Sequence, residues 1–294
     1  MLVTMKQMLE EAKKGRYAVG AFNAPNLETV QAVIEAAEEL NVPVILQHAE
    51  LHEDLIPLEE IGPIMLDYAR RASVPVCVHL DHGSSYDVLL KAMKMGFTSV
   101  MIDASTLPYE ENVAITKEIC KAAHSLDVSV EAELGAMFNS VIGSGREAMT
   151  AETVEDTNSM YTDPQLAKDF VEKTGVDALA IAFGTVHGVY TVKPVLDLDR
   201  VSLIMDAVNI PLVMHGGSGV SDEDTRAAIN NGITKINYYT YGTMAGANYV
   251  RNYLSTKGAD EKIFYHDIIN EAKKGIKEDV KKAMTVFATN LLNR

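Results

Sequence analysis

Short apolar runs alternate with longer amphipathic stretches along almost the whole 294-residue chain, and this alternation limits the available folds more than any other feature. The runs are Tyr17–Phe22, Pro43–Gln47, Val74–Leu80, Ser99–Ile102, Val128–Leu134, Ala178–Phe183, Pro211–Met214 and Thr234–Asn237. Between and after them lie helical patterns at Leu27–Leu40, Leu58–Ala72, Ser85–Met95, Tyr109–Ser125, Pro164–Thr174, Leu198–Val208, Asp222–Asn231 and Tyr241–Thr256. Continuous apolar strands separated by helices imply a parallel sheet covered on its outer face. Eight such units in this length predict an α/β fold of the closed (β/α)8, or TIM-barrel, type, with a single domain over residues 1–294. Ser84, Asp163-Pro164 and Ser221 read as helix starts. The tail adds further helix, including Tyr265–Ala283. Ala136–Thr162 breaks the rhythm, being long, polar and without period, as lids and binding loops are.

The formal net charge of −15 argues against a nucleic-acid surface, which would need a basic face. The two cysteines, Cys77 and Cys120, form no paired motif and read as buried thiols. The start of the chain, MLVTMKQMLEEAKKG, is amphipathic rather than continuously apolar, and no run reaches the length of a membrane span. A cytoplasmic protein is the resulting expectation.

Polar residues fall at the carboxyl ends of the expected strands. They are Asn23, Asp81 with His82, Asp103, Glu133, His187, His215 and Asn237. In a (β/α)8 barrel that rim carries the active site. Any one of these could be a satisfied structural group; three histidines and three carboxylates on one rim are harder to explain that way. Three imidazoles without thiolates suit Zn²⁺ or a similar ion and leave a coordination position open. Asp103 and Glu133 could form a second, weaker cation position, divalent or monovalent, or orient a histidine. His79 shares the strand face of Asp81 and competes as a ligand, ranked lower because it lies deeper. His48, His52, His124 and His266 read as packing or surface residues, with His48 a partial exception at the end of its strand. Glycine turns follow two of the rim histidines, at His187-Gly188 and at His215-Gly216-Gly217-Ser218-Gly219. Such turns let backbone N–H groups approach a phosphate.

At these residues the chain resembles the class II, metal-dependent ketose-bisphosphate aldolases, the family of fructose- and tagatose-bisphosphate aldolases. The resemblance rests on YAVGAFN, VPVILQ, VHLDHGSS, GFTSVMIDAS, VSVEAELG, YTDP, TGVDALAIAFGTVHG, IPLVMHGGSG and GITKINYYT, in order along nearly the whole chain. It implies that His82, His187 and His215 bind a catalytic zinc and that Asp103 and Glu133 match an alternate metal position. It implies further that Asp81 is the acid/base at the hydroxyl of the cleaved bond. Asn23, Gly188, Gly216, Gly217, Ser218 and Asn237, Tyr238, Tyr239 and Thr240 would meet substrate, most of them at its dihydroxyacetone phosphate part. The implied partners are a phosphorylated ketose and dihydroxyacetone phosphate, and the implied assembly is a homodimer or homotetramer.

Three positions depart from the fructose-type pattern. Ala49 stands where those enzymes have serine, and Tyr239 where they carry an acidic residue. The catalytic loop glutamate has no clean match: an ungapped count gives Val141, and Glu147 is the proposed proton-transfer residue. A distal phosphate is expected near Lys262 or Arg251. Two other readings stand beside the metal aldolase. One is a Schiff-base aldolase through Lys235, and the other is a sugar-phosphate-binding barrel that has lost or altered its activity.

Overall fold

The structure is a computed structural model that describes residues 1–140, 160–190, 193–258 and 260–294. Among these, eight parallel strands close a barrel: β1 (Val19–Asn23), β2 (Val44–Ala49), β3 (Val76–Gly83), β4 (Ser99–Ile102), β5 (Ser129–Leu134), β7 (Ala178–Ile181), β9 (Leu212–Met214) and β10 (Ile233–Tyr238). β1 pairs with both β2 and β10, which completes the ring. The remaining two strands, β6 (Phe138–Asn139) and β8 (Val186–His187), form a small parallel ladder of their own. The (β/α)8 expectation is met, with strand ends shifted by at most three residues. β6 lies inside the stretch expected to be irregular.

The strands are joined by α2 (Leu27–Leu40), α3 (Leu58–Arg71), α4 (Tyr86–Met95), α5 (Tyr109–His124), α6 (Pro164–Thr174), α7 (Leu198–Val208) and α8 (Asp222–Asn230). After β10 come α9 (Thr240–Ser255), α10 (Tyr265–Phe287) and α11 (Thr289–Leu292), so the tail helix runs past the expected Ala283. Local chemistry explains the helix starts. Asn26, Asp163 and Ser221 each accept a hydrogen bond from a backbone N–H in the first turn of α2, α6 and α8. The cap of α4 is Ser85 rather than the expected Ser84; Ser84 instead donates its backbone N–H and hydroxyl to Glu50.

The core divides in two. The larger cluster fills the space between the strands and their helices, and includes Leu46, Val78, Phe97, Phe170 and Phe183. The smaller one lies inside the barrel, where Val19, Ile45, Cys77, Ala178 and Val213 meet Met5, Met8, Leu9 and Ala12 of α1 (Met5–Gly15). That helix closes the N-terminal mouth of the barrel with its apolar face. The backbone N–H of Lys6 donates to Ser129 Oγ, which ties the helix to β5. Side chains alternate along a strand, so every second residue faces the interior. The inward series is apolar and small near α1 and becomes polar toward the opposite end. Cys77, His79 and Asp81 show this progression on β3.

Leu9 is fully buried in this plug. Leu9→Ala is expected to cost about 2–5 kcal/mol of stability, read by urea denaturation. A cost below about 0.5 kcal/mol would mean that α1 does not seal the barrel.

Candidate active site

Asp81 and His82 are neighbours in sequence, yet both reach the rim. In a regular strand they would point to opposite faces. His82 escapes this by taking φ 49°, and the pairing of β3 with β4 slips between Leu80 and Gly83. A left-handed non-glycine residue is a conformational cost held in place by its surroundings, here at the centre of the site.

His82, His187 and His215 bring one ring nitrogen each to within 4.8 Å of the others. Their ring centroids lie 4.7–5.7 Å apart. Each ring is held from behind by an oxygen: His82 Nδ1 bonds Asp103 Oδ2 at 2.7 Å, His187 Nδ1 bonds Asn139 Oδ1 at 3.1 Å, and His215 Nε2 bonds Glu131 Oε1 at 2.9 Å. Those oxygens accept, so the bonded nitrogen carries a proton and the other nitrogen is the one left for an ion. The small β6–β8 ladder positions His187, since Asn139 and His187 are paired in register.

The buried groups around this triad carry more negative than positive charge. His215 Nδ1 lies 3.2 Å from Glu133 Oε2, yet neither atom makes a hydrogen bond to a described residue. Burial disfavours charge on His215, but Glu131 and Glu133 outweigh it and push its pKa up to about 9. Such a spot attracts a cation, either a proton or a metal ion, and the three imidazoles fit a divalent metal. His82, Asp103 and Glu133 form a second ligand group that shares His82 with the first.

Asp81 sits beside the triad, 4.0 Å from His82 Nε2, and is buried. Asn23 Nδ2 donates to its Oδ2 at 3.0 Å, Gln47 Nε2 to the same oxygen at 3.3 Å, and Asn237 Nδ2 to Oδ1 at 3.0 Å. Burial opposes its charge, but His82, Lys235 and His215 outweigh that and hold the carboxyl well below the usual carboxylate range. An ionised carboxylate fixed by amides can only accept hydrogen bonds from a ligand hydroxyl.

A cavity of about 360 Å³ opens over these groups. Asn23, Asp81, His82, His187, Gly188, Gly216, Ser218, Asn237, Tyr238, Tyr239 and Thr240 all line it. Gly216 takes φ 65°, and a Cβ there would meet Val186 O at 2.4 Å, so only glycine lets the turn pass β8 so closely. Gly217 N donates to Asn237 O, and Tyr239 N donates to Ser218 Oγ, which locks this turn to the end of β10. Gly217 itself does not line the cavity. Tyr238 borders it, but its hydroxyl is turned outward and donates to Asp279 of α10.

Several expectations change. His79 is not in the ligand cluster; it lies beneath it, fully buried and hydrogen-bonded through Nδ1 to Ser99 Oγ. His52, expected to be a packing residue, lines the cavity and packs on Tyr239 with ring centroids 4.7 Å apart. Lys262 and Arg251 do not line the cavity, and Arg251 bonds Asn248. Val141 and Glu147 lie outside the described residues. Gln47, Glu131 and Asn139 were missed. Gln47 and Glu131 share inward strand faces with Ala49 and Glu133, a period-2 signal that could have exposed them. Asn139 had no such signal.

Lys235 is also buried within the barrel, with its Nζ 2.7 Å from Glu131 Oε2, and does not line the cavity. Burial opposes the charge of Glu131, but Lys235 and His215 draw its pKa down to about 2. A lysine paired in this way and away from the cavity is poorly placed to attack a substrate carbonyl, which weighs against the Schiff-base reading.

The closed barrel carries its histidine–carboxylate rim at the C-terminal ends of its strands, where (β/α)8 enzymes build their active sites. The family model of class-II fructose-bisphosphate aldolase matches residues 3–290. Fructose-bisphosphate aldolases of Staphylococcus aureus (strain Mu50) and Staphylococcus epidermidis are each 40% identical over 295 residues, covering 98% of this chain and 98% of theirs. The crystal structure of the YdjI aldolase from Escherichia coli K12 superposes with a TM-score of 0.85 at 36% identity, covering 99% of this chain and 98% of that one. A putative fructose-1,6-bisphosphate aldolase from Coccidioides immitis follows at a TM-score of 0.81 and 26% identity, covering 97% and 96%. The chain belongs to the class II fructose-bisphosphate aldolase family, and it is an aldolase.

Removing the partner of a buried charge is strongly destabilising. Lys235→Met is therefore expected to cost about 3–5 kcal/mol in chemical denaturation. Borohydride with substrate should give no adduct at Lys235; a trapped adduct would restore the Schiff-base route.

Proposed function

We propose that this chain cleaves a phosphorylated ketose reversibly, releasing dihydroxyacetone phosphate and an aldehyde, with zinc held by His82, His187 and His215. The observation that carries this reading is the triad itself, three imidazoles with one ring nitrogen each within 4.8 Å of the others, beside the buried Asp81 carboxylate. When bound, the ion supplies Lewis-acid stabilisation of the charge that develops as the carbon–carbon bond breaks. Asp103 and Glu131 orient His82 and His215, and Glu133 with Asp103 offers an alternate cation position.

Asp81 accepts the proton of the hydroxyl at the bond being cleaved. Its three amide neighbours fix its direction, so this oxygen is already aligned when substrate arrives. Gly188, Gly216 and Ser218 hold the phosphate of the dihydroxyacetone phosphate part, together with the first turn of α9 at Thr240. Unpaired backbone N–H groups at a glycine turn and a helix start suit that anion. Asn23 and Asn237 touch both Asp81 and the cavity, and orient the substrate against it. Proton return to the product is assigned to Glu147.

The same reading carries one barrel domain acting in the cytoplasm as a homodimer or homotetramer. Among the described residues no helix is long and apolar enough to cross a membrane. The exposed apolar side chains Ile263, Phe264 and Tyr265 before and at the start of α10 support a subunit contact.

Dialysis against a chelator should abolish cleavage, and added Zn²⁺ should restore it; full activity in verified metal-free protein sinks the metal reading. Asp81→Asn is expected to lower kcat by about 10²–10⁴-fold with zinc binding retained. A loss under about threefold would remove Asp81 as the base.

A further inference from the structure

The cavity is lined from two parts of the rim, the end of β2 on one side and the ends of β9 and β10 on the other, which β1 separates in the barrel order. At one end lie Gly188, Gly216, Ser218 and Thr240, where backbone N–H groups and hydroxyls can meet an anion. The other end is built by the end of β2 and the segment that follows it. There Ala49, Leu51, His52, Asp54 and Leu55 line the cavity, with Tyr239 packed on His52. Ala49 pairs in register with Asp81, so this end begins directly beside the proposed base.

A phosphate dianion needs cations or several hydrogen-bond donors. Among the described residues no lysine or arginine lines the cavity. His52 and its neighbour His48 are not substitutes, since burial pushes the pKa of each down to about 4 and leaves both neutral at neutral pH. Asp54 adds a negative charge on the cavity wall, which opposes a second anion placed there. Leu51 and Leu55 are exposed and apolar, and they offer contact to carbon rather than to charge. The His52 ring, buried and tilted 45° against Tyr239, has no hydrogen-bond partner for its Nδ1 among the described residues. A neutral imidazole of this kind suits a hydroxyl group.

We propose that this end receives the uncharged tail of a ketose 1-phosphate, and that His52, Asp54 and Tyr239 select an unphosphorylated aldehyde over a phosphorylated one. This rests on the reading of the rim as the place where the ketose is cleaved. Asp54 and the two leucines set this end apart from the phosphate-suited groups at Gly188, Gly216, Ser218 and Thr240.

The test runs condensation with the zinc-loaded full chain. Dihydroxyacetone phosphate is offered with D-glyceraldehyde, L-glyceraldehyde, L-lactaldehyde or D-glyceraldehyde 3-phosphate. The best unphosphorylated aldehyde is expected to exceed D-glyceraldehyde 3-phosphate in kcat/KM by on the order of tenfold or more. Asp54→Lys is expected to shift that ratio toward the phosphorylated aldehyde by on the order of tenfold. A wild-type preference for D-glyceraldehyde 3-phosphate overturns the proposal and leaves the aldolase reading standing. An unchanged ratio in folded Asp54→Lys also overturns it, by removing Asp54 from selection. Condensation with none of the aldehydes removes both readings together.

Discussion

Carboxylates buried inside a closed barrel are the constraint around which this molecule is organised. Asp81, Glu131 and Glu133 are buried on β3 and β5, with the partly exposed Asp103 just after β4 between them, and taking such buried groups out of water costs several kcal/mol each unless they are compensated. The compensation is specific to position. Lys235 answers Glu131 from below, three amides answer Asp81, and imidazoles answer Glu131 and Asp103. What remains around His215 and Glu133 is a place for a cation. A cation held there would draw on the same buried charges as barrel stability.

Barrel closure makes this arrangement possible. Asn23, Asp81, Glu131, His215 and Asn237 are scattered over more than two hundred residues, and only the ring of β1 against β10 brings the first and last of them to one carboxylate. The plug of α1 at the opposite mouth keeps the apolar half of the barrel dry, which strengthens every charge interaction in the polar half.

Much of this was legible in the residues. The eight strands, the rim positions of His82, His187 and His215, and the glycine turns follow from periodicity and punctuation. Other features escaped because they depend on geometry that periodicity does not carry. Alternation treats His79 and Asp81 alike and turns His82 away; the left-handed turn at His82 reverses that outcome. Glu131 reads as one more residue of an apolar strand, yet it holds both His215 and Lys235. His52 lies in a short 3-10 turn, Glu50–His52, whose direction no pattern predicts, and there it reaches Tyr239. The overall acidity of the chain likewise says nothing of the local contrast between the donor-rich and apolar ends of the cavity.

The central claim is that the three rim imidazoles share one metal ion. Anomalous diffraction at the zinc edge, from crystals grown with Zn²⁺, tests it most directly. One strong peak bounded by His82, His187 and His215 is expected, with the Glu131 and Asp103 contacts kept behind the rings. Fully occupied zinc held elsewhere, or none bound at the triad at saturating Zn²⁺, would contradict it.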